Sequence, residues 1–479
     1  MKKLVLPVFL ILLGTVLVGC PSPKPENWSC PELSTPTVTA KISSNPDKPE
    51  KIIIQIDGTP SMKGFVSDRN SRYIRTLRLL RSATNAAFPV TPSPTFYVFG
   101  TQRLKEPINH QSAETAWFYS GGRPELRDAA THKIIAPQKT DPPNSLYVIV
   151  TDLYQEKAQW EDLVAQLKDN YLLKDGYAVG IIAVKSEFLG DIYDVGLDNI
   201  RYPSVKTNHP FYILVLGRYS QVKQYFDKIK SESQNTGLDF PAENFVIFST
   251  QIFEKPALLQ INDNEQPTPS SSSPTSDNPQ KSGIRRVEVI NDGRIVIKKV
   301  ENPQNVERLI IPSQTSNDSP KETSLKYRLN YNPLPYTLPL GNSASYQLNG
   351  DSDFNNNTKE FKKLDPQSSL IPLQLTNWQS TNNQLEFNAL INLDNNPQGI
   401  GVYRLIFDVF PEKISGSSRP YQAPSWWKDW SFGENEIFAG DRTYNLQPFL
   451  YNLGDTTFRI IENKPNVALG RLCFIIHKK

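Results

Sequence analysis

An α/β fold, a doubly wound and mostly parallel sheet followed by an all-β, sandwich-like region, is predicted by three features of the chain. From Lys51 onward, apolar runs of strand length alternate with segments of helical periodicity. The runs are nearly continuous in Ile, Val, Leu and Phe, as in strands covered on both faces. Beyond a polar, Ser- and Pro-rich stretch at 263–283 the texture changes to short strand-like runs between turn residues, with no long helical stripe.

The elements follow in order. Ile52-Ile53-Ile54-Gln55-Ile56 is the first strand, and it runs into Asp57-Gly58-Thr59-Pro60-Ser61. A helix is expected over 71–88, where Tyr73, Leu77, Leu80, Thr84 and Ala87 share one face. Arg72, Arg75, Arg78 and Arg81 form a basic row, read as a solvated face rather than a site for an acidic partner. Strands are expected over 95–100 and 146–151, the second ending in Asp152. A helix over 155–175 carries Trp160, Leu163, Val164, Leu167 and Tyr171 on one stripe. Strands at 177–184 and 211–216, a helix marked by Val222, Tyr225, Phe226 and Ile229, and a strand at 245–248 complete this half. Further on, 285–290 and 294–299 flank Asn291-Asp292-Gly293, a hairpin signal. Strands are also expected at 370–375, 384–391 and 401–410.

Composition narrows the function classes. The chain has 479 residues, enough for two or three domains, and a net charge of +3, which offers no electrostatic footprint for nucleic acid. His110, His132, His209 and His477 are the four histidines, and none makes a spaced zinc pair with another His or a Cys. Lys2 and Lys3 precede an apolar stretch at 4–18 and then Gly19-Cys20, a pattern of short basic region, secretory-length apolar region and small residues before cysteine. It resembles a bacterial lipoprotein signal, which implies lipidation of Cys20 and an exported chain anchored to the cell membrane or outer membrane. Cys30 and Cys473 then remain, either paired as a disulfide in an oxidising compartment or as two free thiols. The expected division is a signal peptide at 1–19, a tether at 20–48, the α/β domain at 49–255, a linker at 256–284 and a β-rich domain at 285–479.

The chemistry gathers at two strand ends. The first strand brings Asp57, Thr59 and Ser61 to a sheet's carboxyl edge, and the strand at 146–151 brings Asp152. In an open α/β sheet, ligands bind outside the carboxyl ends of strands where the strand order reverses. Carboxylate and hydroxyl oxygens are what hard cations such as Mg²⁺ take as ligands. Asp57-x-Thr59-x-Ser61 followed by Val150-Thr151-Asp152 resembles the metal-ion-dependent adhesion site of von Willebrand factor A (vWA) domains, over 49–255. The family pattern is Asp-x-Ser-x-Ser, a Thr from a later loop and an Asp after a later strand. Here Thr59 replaces the first Ser, Leu153 stands where Gly usually follows the second Asp, and Thr131 is taken as the loop residue. The resemblance implies a site of Asp57, Thr59, Ser61, Thr131 and Asp152 holding Mg²⁺ (or Mn²⁺ or Ca²⁺). One coordination position would stay open for the acidic side chain of a protein partner.

Other classes fit less well. Haloacid-dehalogenase-like hydrolases also use an Asp after a first strand with Mg²⁺, but in the pattern Asp-x-Asp-x-Thr, and position 59 is Thr. No Gly-x-Ser-x-Gly elbow occurs, so no catalytic residue is assigned and the chain is not read as an enzyme. A structural envelope scaffold with a degenerate metal site, binding through its β domain, is the alternative. Two motifs in the second half are read as structural. Asp351-Ser352-Asp353 lacks the Gly and acid of a Ca²⁺ loop and is taken as a connecting loop. Trp426, Trp427, Trp430 and Phe432 are placed in a core or an interdomain seam rather than in a recognition patch.

Overall fold

The isoleucines of β1 (Lys51–Asp57) are buried on both faces, which makes this strand the centre of a sheet rather than an edge. The computed structural model describes residues 48–153, 160–193, 201–252, 259–261, 285–289, 295–299, 307–311, 322–330, 333–341, 344–355, 360–365, 371–381, 384–392, 401–411, 413–415, 418–433, 436, 440–463 and 470–478. After β1 come α1 (Arg72–Ala87), β2 (Thr95–Phe99), α2 (Thr131–Ile134), β3 (Ser145–Thr151), α3 (Trp160–Leu167), β4 (Tyr177–Ile192), β5 (Tyr202–Arg218), α4 (Tyr219–Asn235) and β6 (Phe245–Ser249). Their six-stranded sheet has the order β2-β1-β3-β5-β4-β6. β1 is parallel to β2 and β3, so the strands that end in Asp57 and Thr151 are direct neighbours.

Beyond β3 the expected alternation of strand and helix fails. β4 and β5 pair with each other as a long antiparallel hairpin, from Tyr177↔Arg218 to Ile192↔Tyr202. β5 is antiparallel to β3, and β6 to β4, so β1 to β4 run one way and β5 and β6 the other. The reason lies in residues outside the apolar runs at 177–184 and 211–216. Phe188 and Ile192 alternate inward and join the core on one face, which extends β4 past the edge of the sheet.

Helices cover both faces. α1, capped by the Ser71 hydroxyl accepting from Ile74 N–H, packs with α4 on one side. α2 and α3 cover the other. α3 is shorter than expected: its α-helical part ends at Leu167 and a π-turn, Lys168–Leu172, follows, while 154–159 lie outside the described residues. The arginine row of α1 ties the helix to neighbouring segments. Arg72 and Arg75 donate to the carbonyls of Leu238 and Thr236, and Arg78 pairs with Glu114.

The second half is strand-rich. It comprises β7 (Leu259–Ile261), β8 (Arg285–Val289), β9 (Ile295–Lys299), β10 (Glu307–Ile311), β11 (Glu322–Asn330), β12 (Ala344–Asn355), β13 (Glu360–Leu364), β14 (Leu373–Thr381), β15 (Gln384–Asn392), β16 (Gly401–Pro411), α5 (Trp426–Asp429), β17 (Ser431–Phe432), β18 (Thr443–Tyr444), α6 (Leu446–Glu462) and β19 (Gly470–Lys478). A seven-stranded sheet, β13-β12-β16-β19-β10-β8-β9, faces a four-stranded one, β14-β15-β11-β7. Tyr327 of β11 meets Phe474 of β19 edge-on, with ring centroids 5.6 Å apart. β8 and β9 form the antiparallel pair expected around Asn291-Asp292-Gly293, residues that themselves lie outside the described ones. β7 lies inside the segment expected as linker and pairs with β11.

Two readings are corrected. Asp351 is not in a loop: it lies within β12, in register with Lys363 and Arg404, because the polar run forms part of a sheet. A long helical stripe does exist, in α6, where Leu446, Phe449, Leu450, Leu453, Thr457, Phe458 and Ile461 recur at helical spacing and are buried. α6 packs against α3 and β6 of the first half and also against α5 and β17, so its apolar face bridges the first sheet and the second half. The tryptophan cluster sits at this seam. Trp427 stacks on Phe248 of β6 at 5.9 Å, and Trp426 Nε1 donates to the Glu243 carbonyl. One apolar cluster therefore runs continuously from the first sheet into the sandwich. Cys473 of β19 is buried and disulfide-bonded, with its partner outside the described residues.

Candidate metal centre

The strand period of two places Asp57 on the same face of β1 as Ile53, and Thr151 on the same face of β3 as Ile149. Ile134 and Ile135, at the end of α2, pack into the same apolar cluster. Asp57, Thr151 and the short helix that begins at Thr131 therefore gather over one face at the sheet's carboxyl edge. After Asp57 the backbone closes into a 3-10 turn, Pro60–Val66, which Pro60 starts by holding its own φ in the helical range. This turn is seated beneath the β4–β5 hairpin at a contact only glycine allows: a Cβ on Gly190 would stand 2.7 Å from Gly64 Cα.

Asp57 is wholly buried, and its two oxygens are engaged differently. Oδ1 accepts from Thr59 N–H at 3.1 Å and from Thr59 Oγ1 at 2.7 Å. Oδ2 accepts from Thr151 Oγ1 at 2.9 Å. Thr59 Oγ1 in turn lies 3.1 Å from Ser61 Oγ. Burial pushes the Asp57 carboxyl up to about 7, and the charge of Asp152 adds to this, while the hydrogen bonds from Thr59 and Thr151 pull the other way. Two acids thus repel each other at a largely buried strand edge, where Asp57 is bonded by the hydroxyls of Thr59 and Thr151. Thr131 is also fully buried, and its Oγ1 has no hydrogen-bond partner.

Of the five residues read from the sequence, Asp57, Thr59 and Ser61 form one bonded cluster and Asp152 couples to it electrostatically. Thr131 lies at the same edge without a hydrogen bond to the rest. Ser61 and Asp152 reach solvent only marginally, each 5% exposed. Leu153 adopts φ of +61°, the left-handed conformation that glycine takes at least cost. In this turn Leu153 N–H donates to Thr151 Oγ1 at 3.1 Å.

The sequence did not single out Thr151, which holds Asp57, or His209, Tyr212, Tyr73 and Tyr119, which surround the acids. Tyr73 and Tyr119 share a buried hydrogen bond of 2.9 Å, and burial raises both phenols, with Asp57's charge adding to the effect. His209 Nδ1–H donates to the Gly440 carbonyl at 2.6 Å. Burial holds its imidazole below the usual range, against the opposing pull of that bond and of the charges on Asp152 and Asp441. Thr151 was legible as the hydroxyl beside Asp152. The aromatic and histidine neighbours come from distant segments that no local pattern links.

These residues fit a hard divalent cation. Two acids and the hydroxyls of Thr59, Ser61 and Thr131 are oxygen donors, and the partnerless Thr131 hydroxyl together with the mutual repulsion of the carboxylates would both be relieved by one. Among the described residues no group of three or more His, Cys, Asp and Glu stands ready to hold a metal, so any such centre rests on hydroxyls as much as on acids. No family model matches this chain, and no curated protein matches it.

Proposed function

We propose that the protein is a lipid-anchored envelope protein whose vWA-like domain binds a protein partner through a divalent cation. Asp57, Thr59, Ser61, Thr131 and Asp152 would hold the ion, and an acid of the partner would complete its coordination. The observation that carries this reading is the buried pair of acids at adjacent parallel strand ends, Asp57 ringed by hydroxyls and raised to about 7 by burial and by Asp152. An acid supplied by a partner would give a charge-assisted contact inside a larger interface, so binding would depend on the metal. Cys20 would carry the lipid, leaving the α/β domain held at the membrane, in the periplasm or at the cell surface. Among the described residues no helix is long and apolar enough to cross a membrane.

A second reading has its own support. Asp57 already accepts three hydrogen bonds, and the cluster is nearly closed to solvent, as suits a scaffold whose centre needs no ion. Thermal unfolding of the intact chain in EDTA, Mg²⁺, Mn²⁺ or Ca²⁺, beside Asp57→Ala, separates the two. A cation that binds only the folded state stabilises it by about 2.7 kcal/mol at a hundredfold excess over Kd. The metal reading expects such a shift in the parent and none in the variant. The absence of any shift in the folded parent would assign partner binding to the β region.

A further inference from the structure

Beside its apolar stripe, α6 carries a polar row, Asn452, Asp455, Thr456 and Arg459, at helical spacing. With Trp160 at the start of α3 and with Arg419, this row bounds an open cleft of about 600 Å³ where α3 and α6 meet. That size and a place at a seam are usual for small-ligand sites. Arg419 is fixed there on two sides. Its guanidinium carbon lies 4.2 Å from the centre of the Tyr451 ring, which Trp427 holds edge-on from the seam. Nε and Nη2 of Arg419 donate to Asp455 Oδ1 and Oδ2 at 2.9 and 3.3 Å, and Tyr421 Oη donates to Oδ1 at 2.6 Å. Asp455 is thus satisfied. Three of the five guanidinium N–H groups of Arg419, two on Nη1 and one on Nη2, have no partner among the described residues. The exposed Arg459 likewise has no acid beside it among the described residues. Asn452 Oδ1 accepts from Thr456 Oγ1, which leaves the amide donors of Asn452 unpaired.

We propose that this cleft binds a small carboxylate-bearing ligand with a flat apolar part. The carboxylate is taken by the free edge of Arg419 and by Arg459, and the apolar part lies against the half-buried Trp160. The chemistry of the lining selects this class. Two guanidinium groups face one acid that already accepts three hydrogen bonds, so the cleft is rich in donors and positive in charge. A planar fork of N–H donors matches a carboxylate in two parallel bonds. An uncharged ligand would leave both cations without a counter-charge. A mere staple between Arg419 and α6 would use the Nε–Nη2 edge alone, and would need neither a second cation nor unpaired amide donors around an open space. None of these residues belongs to the Asp57 centre, so the site stands or falls by itself.

The test titrates the intact chain with N-acetylphenylalanine, beside its uncharged amide and phenyl phosphate. Binding is followed by tryptophan fluorescence, and Trp160→Phe identifies the signal that belongs to the cleft. Arg419→Lys keeps the charge and loses the fork. Arg459→Gln removes an exposed cation on which no fold contact depends, and it carries the test if Arg419→Lys does not fold. The expected result is saturable binding of the acid, with affinity falling roughly 10-fold or more in each arginine variant and for the amide. Equal affinity for acid and amide, or an affinity for the acid that neither variant changes, would overturn the carboxylate site. Saturation by phenyl phosphate with none by the acid would overturn the choice of carboxylate. No saturation by any of the three probes up to about 10 mM would overturn the cleft as a binding site.

Discussion

Asp57 makes the pH dependence of stability a quantitative test. Its carboxyl is fully buried and rises from 3.8 to about 7, through burial first and the charge of Asp152 second. The folded protein therefore binds this proton more tightly than the unfolded chain. In metal-free protein the resulting stabilisation is fully present below about pH 3.8 and is lost as the pH rises through 7. A rise of about three units, at ~1.4 kcal/mol each, amounts to roughly 4 kcal/mol, of which more than half disappears between roughly pH 5 and pH 8. Urea unfolding of the intact chain in EDTA at those two pH values, beside Asp57→Asn, isolates the effect, because the amide does not titrate. The parent should lose roughly 2 to 3 kcal/mol more than the variant on going to the higher pH. Saturating Mg²⁺ should stabilise the parent more at pH 8 than at pH 5, since the cation binds the carboxylate and not the acid. Parallel pH profiles for parent and variant in EDTA would refute the reasoning, for they would mean that Asp57 does not sit as a buried acid opposite another.

Three further outcomes can be checked by chemical denaturation or melting temperature. Thr131→Val removes a buried hydroxyl without a partner, so metal-free stability should hold or rise by up to about 1 kcal/mol while the response to Mg²⁺ shrinks. A loss above about 2 kcal/mol in EDTA would show that the hydroxyl is bonded after all. At Leu153, with φ of +61°, the Gly variant should be more stable than the Ala variant by about 1 kcal/mol, the reverse of the usual order. Trp427→Ala should cost about 3–5 kcal/mol by opening the seam. Trp427→Phe should cost far less, because a ring still faces Phe248 and the indole N–H has no partner to lose.

Much of the local structure was legible in the residues. The run of isoleucines before Asp57 marks a strand covered on both faces, the stripe from Tyr73 to Ala87 marks the buried side of a helix, and Asn291-Asp292-Gly293 marks a reversal between two strands. The Asp57-x-Thr59-x-Ser61 spacing likewise placed three oxygens at one strand end, and the structure bonds them into one cluster. α6 shows where such reading falters. Its stripe was present in the sequence, but it lay in a stretch of β texture and within reach of a tryptophan cluster, so the change of period went unnoticed.

Periodicity says which face of a segment avoids water and nothing of which segment lies beside it. The sequence by itself therefore determined the elements, the acids and hydroxyls at their ends, and the change from α/β to β texture. Only the tertiary structure decided that β1 and β3 are neighbours, that β4 and β5 fold back as a hairpin where a helical crossover was expected, and that α6 closes over the first sheet. It alone brought Gly440 to His209 and Thr443 to Tyr212, and His209 within electrostatic reach of Asp152. Those choices turn on burying apolar surface between segments that are distant in sequence, from tens to more than two hundred positions apart, a pairing that no local pattern encodes.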